Sequence, residues 1–265
     1  MQVVFGGIDI FFCYNARCMS IFIFIPLIIG WFAAIVVNYL SDVFPRTRQL
    51  TSPICTNCGS GISWVDYLLL KPCPACQKAH NARTWIVLAV AIASSLFVWF
   101  SPPVLGYWLG MLYWTYLAVV FVIDVEHRLV MHPISIFGAL LSFGLGIWVH
   151  EGVWKPILGG LVGFGIMFAL YYFGVLFARW TSRRRDAEIE EGDALGFGDV
   201  ILAGVLGLLL GYPLIFSGVL VAILLGGGIS LLMILGMLVL KRYEAFAAIP
   251  YAPFLTLSAV WLIYF

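Results

Sequence analysis

Long apolar runs separated by short polar breaks make up most of this chain. The runs fall at residues 19–41, 85–101, 104–123, 134–150, 156–178, 197–211, 214–240 and 247–264. A helix needs about 20 mostly apolar residues to cross a bilayer. The pattern therefore predicts an all-α integral membrane protein with about eight transmembrane helices. Ser101-Pro102-Pro103, the stretch from His150 to Pro156, and Gly211-Tyr212-Pro213 supply the turn chemistry between runs. The 197–211 run is short, which suits a helix whose start lines a cavity rather than lipid.

Two polar segments break the pattern. One runs from about Ser41 to Thr84. The other, from Arg179 to Leu195, has a basic Arg183-Arg184-Arg185 followed by acidic residues from Asp186 to Asp193. The second reads as a solvated loop with arginines at the headgroups. Glycines within the runs, such as Gly159-Gly160, Gly163, Gly165 and Gly226-Gly227-Gly228, read as close helix packing through small residues. The expected organisation has four parts: an N-terminal extension at 1–18, with Met19 resembling an ordinary membrane-protein start; a first transmembrane helix at 19–41; a cysteine-rich loop domain at 42–84; and a membrane domain of about seven helices at 85–265.

Composition turns the membrane reading into a requirement. The 265 residues are 63% hydrophobic and 10% charged, against roughly 25% charged in a soluble domain, and the mean hydropathy is +1.05. A soluble surface cannot be covered with so few polar side chains. The lipid bilayer is the expected partner and nucleic acid is not. Orientation follows from Lys and Arg. With the first helix running inward, Arg46, Arg48, Lys71, Lys78, Arg83, Arg128, Arg179, Arg183, Arg184, Arg185, Lys241 and Arg242 lie inside. Only Arg17 and Lys155 of the 14 basic residues then lie outside. Both polar segments become cytoplasmic, as in a multi-pass protein of a bacterial or archaeal-type cytoplasmic membrane.

Cys55-Thr56-Asn57-Cys58 and Cys73-Pro74-Ala75-Cys76 are two CxxC pairs, 14 residues apart. Each tight turn aims two thiolates at one point, and four thiolates suit tetrahedral zinc. In a cytosolic setting stable disulfides are disfavoured. Cys55, Cys58, Cys73 and Cys76 are thus expected to hold a structural zinc ion, ahead of redox dithiols. His80 reads as a solvated loop histidine.

Two carboxylates stand where lipid makes charge costly. Asp124 ends an apolar run and Asp199 opens another, so the topology puts both at one interface. Two close carboxylates share a proton and can activate water against a carbonyl. Gly196 and Gly198 leave room for a substrate strand beside Asp199. The competing reading makes each Asp an interfacial residue, with Asp199 an N-cap. Glu126, His127, Arg128 and His132 read as solvated neighbours of Asp124.

Together these residues resemble the type IV prepilin peptidases, membrane aspartyl proteases of the GxGD type. The resemblance runs from about Gly30 to Phe265. It is carried by the CxxC loop, Ile123-Asp124-Val125-Glu126, Leu195-Gly196-Phe197-Gly198-Asp199-Val200 and Ile249-Pro250-Tyr251-Ala252-Pro253-Phe254-Leu255. It implies catalytic roles for Asp124 and Asp199 and cleavage of short, basic leaders from prepilin-like proteins at the cytoplasmic face, after a glycine. It also implies, in many members, N-methylation of the product with S-adenosylmethionine. The chain departs from the family at Gly30-Trp31-Phe32-Ala33-Ala34, at Ile201 where lysine is common, and at Val130-Met131-His132. These changes spare both aspartates and bear mainly on methylation. Other GxGD intramembrane proteases lack such a cysteine loop, and a transporter would place its carboxylates nearer the midplane.

Overall fold

The computed structural model describes residues 16–129, 131–182, 196–239 and 251–265. Among these the chain folds into helices α1 (Ala16–Thr47), α2 (Trp64–Leu68), α3 (Ala82–Phe100), α4 (Gly106–His127), α5 (His132–His150), α6 (Trp154–Ser182), α7 (Phe197–Leu210), α8 (Leu214–Val239) and α9 (Ala252–Tyr264). Six are long and apolar enough to cross a membrane, while α7 and α9 are shorter apolar helices. The protein is a multi-pass, all-helical membrane protein. The eight apolar runs correspond to its eight apolar helices, and α2 belongs to the cysteine loop.

Boundaries shift where polar residues find partners. The first run was expected to end at Ser41, but α1 continues to Thr47 through Pro45. It can do so because Asp42 is buried against Tyr67 and Arg83 rather than solvated. At its other end α1 starts at Ala16, so it takes in the last residues of the expected 1–18 extension. The rest of that extension lies outside the described residues, as does most of the 179–195 loop. Likewise α4 runs past Asp124 to His127, where Arg128 takes a left-handed conformation (φ 52°) and donates its N–H to the Asp124 carbonyl.

The main core gathers Tyr113, Tyr116 and Leu117 of α4 with Leu202, Leu206 and Leu209 of α7, Ile215 of α8 and Leu255 of α9. It locks α7 among its neighbours. Against α6 the approach is closest: a Cβ on Gly163 would meet the Ala203 carbonyl at 2.5 Å, and Gly159 faces Gly207 backbone to backbone. Small residues are what allow two helices to pack this tightly. Gly165, Gly227 and Gly228 instead face open space, so not every glycine in the runs is a packing residue. The far end of α7 is held by His150, whose Nε2 lies 3.1 and 3.0 Å from the Leu209 and Leu210 carbonyls. These carbonyls have no partner within the helix, and His150 supplies one.

Candidate active site

Asp124 and Asp199 lie at the same end of the bundle, since α4 ends there and α7 begins there. Asp124 is 5% and Asp199 6% exposed. Asp199 lies within the field of the Asp124 carboxylate. One oxygen of Asp124, Oδ2, is buried with no hydrogen-bond partner. A buried carboxylate oxygen with no partner carries a large desolvation cost, and an incoming water or substrate group would relieve it.

Asp199 is not an N-cap. That position belongs to Gly196, and the Asp199 N–H donates to the Gly196 carbonyl at 3.0 Å. Asp199 occupies the third helical position, and its carboxylate faces the backbone N–H groups of Gly196 and Ala252. A third-position carboxylate reaching back to the capping residue is half of a capping box. The first turn of α7 and the start of α9 thereby fix this side chain in place. Gly196 is exposed, Gly198 is half-buried, and a Cβ on Gly196 would lie 3.6 Å from Asp199 Oδ2, an ordinary contact.

Two groups here were not singled out in the sequence. The Tyr251 hydroxyl, at the start of α9, is buried without a hydrogen-bond partner among the described residues and lies within the field of Asp199. Only its place in the Ile249–Leu255 motif hinted at it. Arg83 is the second: its guanidinium bridges Asp42 of α1 and, at 2.6 Å, Glu126 of α4. Glu126, expected to be a solvated neighbour of Asp124, is exposed and also pairs with Arg83. His127 lies 3.9 Å from Glu126, while Arg128 and His132 are exposed.

The four cysteines of the loop converge, their sulfurs all within 4.8 Å of one another. Cys55 and Cys76 Sγ are 3.8 Å apart, and Cys58 and Cys73 Sγ are 3.7 Å apart. These are free thiols, far beyond disulfide bonding. A tetrahedron of Zn–S bonds of about 2.3 Å has edges of roughly 3.8 Å, so the donor set fits zinc. The two knuckles repeat one geometry. Gly59 and Gln77 N–H donate to the Cys55 and Cys73 carbonyls, and Cys55 and Cys73 N–H donate to Ser60 and Lys78. The residue after each pair has positive φ, 73° at Gly59 and 55° at Gln77. His80 contacts the Lys71 carbonyl at 3.1 Å and is outside the cluster. The Ser60 hydroxyl, 3.0 Å from Cys58 and 3.4 Å from Cys73, is the main cause drawing the Cys73 thiol down to about 6. Cys73 is thereby prepared as a thiolate ligand at neutral pH.

Residues 111–231, which contain both aspartates, match the type IV leader peptidase family. The prepilin leader peptidase/N-methyltransferase of Aeromonas hydrophila is 26% identical over 238 residues, covering 83% of this chain and 73% of the relative. Its counterpart in Aeromonas salmonicida strain A449 is also 26% identical, over 207 residues, covering 76% of this chain and 64% of that protein. No solved structure matches the chain. The fold defines a multi-pass membrane protein, and these matches make its membrane domain similar to the type IV leader peptidases.

Proposed function

We propose that the protein removes the N-terminal leader from prepilin-like substrates at the cytoplasmic membrane face, with Asp124 and Asp199 as its catalytic pair. The observation that carries this reading is the burial of two carboxylates, from two helices, at one end of the bundle, with Asp199 in the field of Asp124. Two such groups hold one proton between them, and the pair titrates as a unit. The ionised member takes a proton from water as the water oxygen bonds to the scissile carbonyl carbon. The protonated member gives its proton to the carbonyl oxygen. Collapse of the tetrahedral diol breaks the C–N bond, and the leaving nitrogen receives a proton from the pair.

Gly196 and Gly198 would admit the extended substrate backbone beside Asp199. The Tyr251 hydroxyl, which has no other partner among the described residues, would donate to a substrate carbonyl. Zinc held by Cys55, Cys58, Cys73 and Cys76 would fold the loop and take no part in hydrolysis, because four thiolates fill its coordination. The relatives' names also include N-methyltransferase. No residue described above is assigned to that reaction, and S-adenosylmethionine would be needed only if it is present.

The test is incubation of purified protein in detergent with a prepilin-like substrate, with the products read by mass spectrometry. Wild type is expected to release the leader at one bond, and Asp124→Ala and Asp199→Ala to release none while remaining folded. Cleavage by either variant at the wild-type rate would refute the mechanism.

A further inference from the structure

We propose that Arg83 is a positioning residue that ties the Asp124 end of α4 to α1 and to the cysteine loop, so that the loop sets the geometry of the catalytic pair. This rests on the peptidase reading above. The path is continuous in named contacts. Tyr67, 2% exposed, is packed in the small core of the loop with Cys55 and Cys73. Its hydroxyl donates to Asp42 Oδ2 at 3.1 Å. The other oxygen of Asp42 takes Nη2 of Arg83, and Nη1 of Arg83 holds Glu126 Oε2 at 2.6 Å. Glu126 is two residues beyond Asp124 on the same helix.

The chemistry favours a rigid tie. A guanidinium is a planar fork with fixed donor directions, and charge-assisted bonds on both tines fix their partners relative to each other. Asp42 is nearly fully buried, so its charge depends on Arg83 and Tyr67 for compensation. An ion pair placed this deep is weak evidence for stability in itself, and its better attested use is fixing geometry. Beyond Asp124 the last turn of α4 has exposed residues, Val125 and Glu126. Among the described residues, Glu126 pairs only with Arg83 and, more distantly, with His127. The lever is therefore short: any slack at Arg83 reaches the helix end that bears Asp124.

The test compares leader cleavage by wild type, Arg83→Lys, Arg83→Met, Glu126→Gln and the double variant Arg83→Met/Glu126→Gln, with zinc content and thermal stability measured on each. Glu126→Gln leaves Asp42 paired, so it tests the tie even if Arg83→Met fails to fold. The expected result is a fall in kcat with little change in KM, on the order of a hundredfold for Arg83→Met. Glu126→Gln should fall less, Arg83→Lys should recover part of the loss, and the double variant should be no worse than Arg83→Met. Zinc content of Glu126→Gln stays at that of wild type. Wild-type kcat in Glu126→Gln and in folded Arg83→Met, with Asp124→Ala and Asp199→Ala inactive, would overturn the tie and leave the peptidase reading intact. Activity in the two aspartate variants would instead refute the peptidase mechanism itself.

Discussion

The side chains at the site differ in how strongly their surroundings constrain them, and that difference sets what each substitution should do. Tyr251 has a buried hydroxyl with no partner, so Tyr251→Phe should leave the fold unchanged. If the hydroxyl meets substrate, kcat should drop roughly ten- to a hundredfold, as for the loss of one positioned donor. An unchanged kcat would remove Tyr251 from the mechanism. At the cysteines, the lowered Cys73 thiol gives a signed prediction for pH. A thiolate stabilised by its surroundings keeps its metal above its own titration and loses it as protons compete. Zinc should be retained at neutral pH and released as the pH falls and protons compete for the thiolates. Ser60→Ala should move the release to higher pH, because the hydroxyl is the main cause of the shift. Release measured with a chromogenic chelator across pH would check both statements.

Helices show why spacing alone could not finish the reading. The apolar runs located every apolar helix, because a bilayer imposes a length and a composition that one sequence displays directly. Their ends were less legible. Asp42 looked like the first residue of a polar loop, and Tyr67 and Arg83, 25 and 41 residues away, make it a buried helical residue. The glycine pattern was ambiguous for the same reason. Gly163 faces the α7 backbone and Gly165 faces open space, a difference of helical phase relative to a neighbour that the sequence does not reveal. Gly163→Ala should therefore weaken the α6–α7 contact by about 1–3 kcal/mol, the usual cost of overpacking. Gly165→Ala should be neutral or slightly stabilising. Thermal denaturation of the two variants in the same detergent would separate them, and equal midpoints would contradict the packing described.

The whole molecule is two units with different reasons to fold. In the loop, two CxxC knuckles are joined through a small core to α1. In the bundle, short helices α7 and α9 are enclosed so that their starts meet at Asp199. The CxxC spacing made the four-cysteine cluster legible in advance, since the cysteines are local in sequence. Asp124 and Asp199 were legible only as two carboxylates at a shared depth, and their pairing is what is proposed above. The extra partners, Tyr251 and the Arg83 bridge, were not, because they depend on contacts between distant segments. The central claim is that the two aspartates work as one device, and the kinetics of their isosteric variants address it most directly. Asp124→Asn, Asp199→Asn and the double variant should be measured on one prepilin-like substrate, with folding checked for each. Either single variant should lose at least about a thousandfold, with no further loss in the double, as for residues that act as a unit. Cleavage near the wild-type rate in either single variant, or losses that add in the double, would contradict the central claim.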